Sequence, residues 1–252
     1  MKILNTKSVK KISIIIPTLF EEELLANLLK QFSQPLKTQY DFEVIVSDGG
    51  SKDKTVEIAK QYADKVVENT SGTKQNISYG RNNGASVASG DIFVFLNADC
   101  MPDNFEIFFS EILDFANSKK NISAIACAVK AFADSEKFID KIFYFLHNHY
   151  VYFLNILGVG MGRGECQIVR REMFEKVGGY NPHLVASEDF DLYRRITKNG
   201  GKILFSRKIL INESPRRFRK YGYLKTLWYW TLNSLTVIFF NKSISKEWEP
   251  VR

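Results

Sequence analysis

The chain has 252 residues, with 35 Lys+Arg against 28 Asp+Glu and a net charge of +7. Hydrophobic residues make up 45% and charged residues 25%, which excludes a disordered, collagenous or low-complexity protein. Three widely spaced cysteines, Cys100, Cys127 and Cys166, exclude a disulfide framework and fit a reducing compartment.

Taken in order, Ile12–Ile16 is a β-branched apolar run stopped by Pro17, the pattern of a buried parallel strand. Glu21–Phe32 carries Leu24, Leu25, Leu28, Leu29 and Phe32 at helical spacing, with acids in its first turn. Phe42–Val46 is a second strand, running into Ser47-Asp48-Gly49-Gly50-Ser51. A helix over 54–62 and a short strand over 65–68 follow. Ile77–Ala88 is a helix rich in small residues, Ile92–Leu96 a buried strand ending in Asn97-Ala98-Asp99, and 105–116 another helix. Alternation of this kind predicts a parallel, doubly wound sheet, whose ligands bind beyond the carboxyl ends of the strands. Pro17-Thr18, Asp48 and Asp99 all fall there.

The second half is less regular. Strands are predicted over 122–130 and 165–170, and helices over 172–177 and 189–198. Ile142–Met161 lacks Lys, Arg, Asp and Glu, but it contains His147, Asn148, His149 and Asn155, which are costly in hydrocarbon. A second uncharged stretch, Thr226–Phe240, spans only ~22 Å as a helix, short of a membrane core of roughly 30 Å. The aromatic residues around it and the basic run Arg216, Arg217, Arg219 and Lys220 suit an anionic membrane surface. The N-terminus has no apolar run of signal-peptide length, so a cytoplasmic location, peripheral to the membrane, is expected.

The motif G-x-x-x-x-G-K-[ST] is absent, and no G-x-G-x-x-G follows the first strand. His147 and His149 do not share a helix face, which argues against zinc. No nucleic-acid-binding module pattern appears. A hard divalent cation takes oxygen ligands and bridges carboxylates to phosphates, and Asp99 at a strand end is placed for that. Glu188-Asp189 opens a helix, where acids also serve simply to complement the dipole.

Together, Ile14-Ile15-Ile16-Pro17-Thr18-Leu19-Phe20-Glu21-Glu22, Val46–Thr55, Gly80–Asp91, Phe95-Leu96-Asn97-Ala98-Asp99 and Gly178-Gly179-Tyr180 followed by Ser187–Leu192 resemble, in order and spacing, the motifs of family 2 glycosyltransferases. The resemblance implies an α/β fold of the glycosyltransferase A type, with a mostly parallel central sheet, a Rossmann-like nucleotide half and an acceptor half. It implies inverting transfer of a sugar from a nucleotide-diphospho-sugar, by family habit a UDP-sugar, with Mg²⁺ or Mn²⁺. Pro17, Thr18, Glu21, Asp48, Arg81 and Asn97 would bind the donor. Asp99 would hold the metal, and Asp189 would be the general base.

Glu188, Arg216 and Arg219 would lie on the acceptor or diphosphate side. The expected organisation is a catalytic domain over 1–215, with its nucleotide half near 12–115 and its acceptor half near 116–215, and a basic, aromatic extension over 216–252. The acceptor is a sugar, or a lipid-linked one given the apolar stretches. A polyprenyl-phosphate sugar synthase is the enzymatic alternative. Asn97, which stands where the family motif D-x-D has its first Asp, raises a non-catalytic nucleotide- or membrane-binding scaffold as the other.

Overall fold

A computed structural model describes residues 11–32, 34–72, 75–118 and 120–245. The β-branched runs form a parallel core. β1 (Ile12–Thr18) lies between β2 (Phe42–Asp48) and β4 (Ile92–Leu96), with β3 (Lys65–Glu68) outside β2. Thr18 is paired opposite Asp48, so both side chains stand at the same sheet end.

Helices cover both faces, and this is why β1 and β4 are apolar without alternation. On one face, Leu25, Leu28 and Leu29 of α1 (Glu22–Gln31) and Phe108, Phe109 and Ile112 of α5 (Phe105–Asn117) pack on Ile12, Ile14 and Ile16. The short α2 (Gln34–Gln39) and α3 (Thr55–Tyr62) complete that side. On the other face lies α4 (Ile77–Ser86), and its close approach depends on Gly84. A Cβ there would stand 2.4 Å from the Ile15 side chain.

The second half extends the same sheet. β7 (Cys166–Arg170) pairs antiparallel with β4 and with β6 (Ile122–Ala131), and β6 runs parallel to β8 (Lys202–Glu213), whose far edge holds β5 (Met101–Pro102). The eight strands run in the order β3-β2-β1-β4-β7-β6-β8-β5. The sheet is therefore mixed: an all-parallel arrangement holds only in the first half.

Two strands escape the sequence pattern. β5 is two residues long. β8 is interrupted by the polar Ser206-Arg207-Lys208, where its register against β6 slips between Cys127 and Ala128.

Ile142–Met161 lies mostly within α6 (Phe138–Ile156), an amphipathic helix clamped on β6 by Asn148, which both donates to and accepts from the Val129 backbone at 2.9 and 3.1 Å. α7 (Arg171–Lys176) and α8 (Glu188–Lys198) precede β8. The basic run forms α9 (Arg216–Tyr221), and α10 (Tyr223–Phe240) follows. Phe218 of α9 is buried against Phe143, Tyr223 and Trp230. No described helix is long and apolar enough to cross a membrane.

Candidate active site at the carboxyl ends of the strands

The loops after β1 and β2 are sewn together. The Asp48 carboxylate accepts from the Gly50 and Ser51 amides, each at 2.8 Å, from the Ser51 hydroxyl at 2.5 Å and from the Thr18 hydroxyl at 3.2 Å. Both of its oxygens thus hold the glycine loop in shape, with Gly50 at φ 105°. In return the Ser51 hydroxyl accepts from the Phe20 amide and the Thr55 hydroxyl from the Glu21 amide, both at 2.8 Å. Pro17, Thr18, Glu21 and Asp48 therefore share one rim. Phe20 sits there in the left-handed region at φ 57°.

Past β4 the chain turns through Asn97 and Asp99. The Asn97 amide nitrogen of the backbone donates to the Glu165 carbonyl at 3.1 Å, and its carbonyl accepts from the Cys100 amide at 3.1 Å. Asp99 is half-exposed, and Arg216 approaches its carboxylate to 3.9 Å. Arg219, three residues on, turns away: it pairs with Asp140 at the start of α6 at 2.5 Å, and the Tyr223 hydroxyl donates to the same carboxylate. The structure thus brings Arg216 to the Asp99 loop and places Arg219 at the foot of α6. Cys100 is buried, and burial pushes its thiol well up from the ordinary range, as expected of an unreactive cysteine.

Arg81 has no solvent exposure. Its guanidinium donates to Glu188 at 2.9 Å, to the Asn97 side-chain oxygen at 3.0 Å and to the Gly164 carbonyl at 2.7 Å. It also lies over the Tyr180 ring at 5.0 Å. One cation therefore ties the loop after β4 to the start of α8. Gly164 lies against both partners: a Cβ there would stand in ordinary contact, 3.4 Å from an Asp189 oxygen and 3.6 Å from Arg81.

Asp189 lies in the first turn of α8, after Ser187 in the left-handed region at φ 61°. Burial, and then the charge of Glu188, push its carboxyl up to about 7, against the pull of the Phe190 amide and Arg81. A carboxylate of that basicity at neutral pH suits proton abstraction from a hydroxyl.

Some of the polar residues around this site are not apparent from sequence. Gln167 accepts from the Tyr180 hydroxyl at 2.6 Å and donates to the Asp189 carbonyl at 3.1 Å. Arg163 donates to Glu165 at 2.8 Å and to Glu213 at 3.1 Å. Glu213 ends β8, so the strand-end rule that singles out Asp99 would have found it had β8 been recognised.

For a metal, Asp99 offers one carboxylate, while the Asn97 oxygen is taken by Arg81. Among the described residues no group of three or more His, Cys, Asp or Glu side chains is arranged to hold an ion. That donor set fits a hard cation that takes one protein carboxylate and completes its shell with phosphate oxygens and water.

The sequence and the fold are similar to those of known proteins. The chain is 27% identical over 228 residues to the O-antigen chain rhamnosyltransferase RfbN of Salmonella typhimurium, covering 84% of this chain and 70% of the relative. Its fold matches the mannosyltransferase PcManGT from Pyrobaculum calidifontis in complex with GDP-Man and Mn²⁺ at a TM-score of 0.68 and 17% identity, over 91% of this chain and 63% of that one. It also matches the glucosyl-3-phosphoglycerate synthase from Mycobacterium tuberculosis in complex with Mn²⁺, UDP and phosphoglyceric acid at a TM-score of 0.60 and 16% identity, over 91% and 77% of the two chains. Residues 13–178 match the model of glycosyl transferase family 2, and the chain belongs to that family.

Proposed function

We propose that this chain transfers a sugar, with inversion, from a nucleoside-diphosphate sugar to an acceptor hydroxyl, with Asp189 as the general base. The observation that carries the reading is Asp189 itself. Its carboxyl is held near neutrality, and Arg81 ties its helix to the Asn97–Asp99 loop.

The rim of Pro17, Thr18, Glu21 and Asp48 receives the nucleoside. Because Asp48 already accepts from four donors, it shapes that rim as well as facing the base. Asp99 would hold a Mg²⁺ or Mn²⁺ ion, and Arg216 beside it would supply charge-assisted donors to the diphosphate. The ion's contribution, once bound, is to neutralise charge developing on the leaving group. Asp189 takes the proton from the acceptor hydroxyl as that oxygen forms its bond to the sugar. The Phe190 amide donates to the Asp189 carboxylate, and Arg81, through Glu188, anchors the start of α8. Asn97, by turning its oxygen to Arg81, presents its amide hydrogens to the donor.

The acceptor is lipid-linked in this reading, and the chain rests on a membrane surface. Support comes from α6 and α10, which leave Phe145, Phe153, Leu224, Trp228 and Phe239 exposed, and from the adjacent bases Arg216, Arg217, Lys220 and Lys225.

The test is a screen of UDP-, GDP- and dTDP-sugars for binding and hydrolysis, with and without Mn²⁺. Mn²⁺-dependent consumption of one donor, lost in Asp99→Asn, is the expected result. Binding without turnover in any membrane extract would favour the scaffold, and binding of no donor would refute the transfer reading.

A further inference from the structure

Beside the base lies a polar cluster with no part in the chemistry described so far. Arg163, 3% exposed, places one nitrogen between the carboxyls of Glu165 and Glu213, at 2.8 and 3.1 Å. The cluster stands where β6 and β8 end and β7 begins, under α6, with the Tyr144 ring 5.9 Å from the guanidinium. Asn97 is bonded to the Glu165 backbone, and the charge of Glu165 reaches both the Cys100 thiol and the Asp189 carboxyl. Glu165 therefore lies between the metal side and the base. The Glu165 and Glu213 side chains keep 11% and 13% exposure, so the pair has an open edge.

Two further observations mark this as a binding surface. Arg163 Nε and His147 Nδ1 are buried in the cluster without a hydrogen-bond partner among the described residues. Nitrogens so placed are costly unless a ligand or water meets them. The charges, moreover, nearly cancel. Burial and the neighbouring Glu165 hold the Glu213 carboxyl well above the ordinary carboxylate range, while Arg163, against the cost of burial, holds Glu165 at about 2. Burial keeps His147 neutral, down at about 3. A protonated Glu213 and an ionised Glu165, both held by Arg163, offer a donor and acceptors side by side.

We infer that Glu165, Glu213 and Arg163 form the subsite that reads the acceptor, and that this acceptor presents neutral neighbouring hydroxyls, as a sugar does, rather than a phosphate. The inference deepens the transfer reading and rests on it. Hydroxyls both donate and accept, and so pair with a carboxylate that stands beside a protonated carboxyl. A phosphate would meet the ionised Glu165 at that open edge, while the one cation of the subsite, Arg163, is already paired with Glu165 and Glu213.

The test uses the full chain, Mn²⁺ and whichever donor it hydrolyses. The acceptor probes are octyl hexopyranosides, neutral and rich in hydroxyls, and farnesyl phosphate. Transfer to at least one octyl glycoside and none to farnesyl phosphate is expected. Glu165→Gln and Glu213→Gln should each raise the KM for that glycoside about tenfold or more, the scale of a lost hydrogen bond to a charged group, and shift the donor KM less than about twofold. A merely structural role would move both KM values and the melting temperature together. Infrared spectra give a readout independent of any acceptor: in an Asp189→Asn background, which removes the other raised carboxyl, a protonated-carboxyl band at pH 7 that disappears when Glu213→Gln is added. Transfer to farnesyl phosphate, unchanged glycoside KM in both variants, donor hydrolysis indifferent to every glycoside, or absence of that band would overturn the inference. Failure to consume any donor would remove the transfer reading, and the inference with it.

Discussion

The side-chain oxygen of Asn97 accepts a hydrogen bond from Arg81 at 3.0 Å, and this contact fixes which way the amide faces. Turned the other way, its NH₂ would meet a guanidinium that only donates. The oxygen that a metal would want is therefore already engaged, and Asp99 stands as the one acid of the pair. Asn97→Asp adds a carboxylate beside Asp99. The expected outcome is a fall of about tenfold in the Mn²⁺ concentration for half-maximal donor hydrolysis, measured by metal titration at fixed donor.

The raised Asp189 carboxyl gives the pH dependence its sign. The proposed role of Asp189 as base requires its ionised form, so kcat/KM should rise with pH through a midpoint near 7. Glu188→Gln removes the like charge and also releases the Arg81 charge to act on Asp189. Both changes favour the ionised form, so the midpoint should move down by about one unit in a pH–rate profile.

The same group costs stability. The folded chain holds the Asp189 proton to about 7, against an ordinary value of 3.8, so it binds more protons than the unfolded chain between those values. Stability is therefore lost as pH rises through that window, and the loss is complete above it. Asp189→Asn should melt a few degrees higher than wild type at pH 8 and gain less at pH 5, by calorimetry. Its transfer rate to a hydroxyl should fall by roughly 10²–10⁴.

Membrane contact is checked by co-sedimentation. The chain should pellet with vesicles containing anionic phospholipid and less with neutral ones, and the difference should shrink at high salt. Replacing the exposed Leu224 and Trp228 together by Ala should weaken binding to both vesicle types, because that loss is of apolar area rather than of charge.

Much of the architecture is legible in the chain. Ile12–Ile16 and Ile92–Leu96 are short apolar runs with clear stops, and Asp48 and Asp99 follow such runs directly. β8 is hidden because its bulge carries Ser206, Arg207 and Lys208 through a strand otherwise like the others. With β8 missed, Glu213 looks like one more surface acid. Arg163 and Glu165 are hidden for a different reason: charges embedded among Gly160, Gly162 and Gly164 look like a solvated loop, and only the fold shows them enclosed. Arg81 belongs to a recognisable motif, but its complete burial, and its bonds to residues 16 and 107 positions away, come from tertiary packing alone.

The pairing of β4 with β7 has a mechanical consequence. Five successive residue pairs, from Ile92 opposite Arg170 to Leu96 opposite Cys166, weld the two halves into one sheet. A clamshell motion would have to break that ladder. The coil segments above the strand ends, among them 157–165, lie outside that ladder and can move without breaking it. A chimera that borrows β1 to β4 from another member of the family would consequently need a β4 that pairs in register with β7, or the loop of Asp99 would shift against the start of α8.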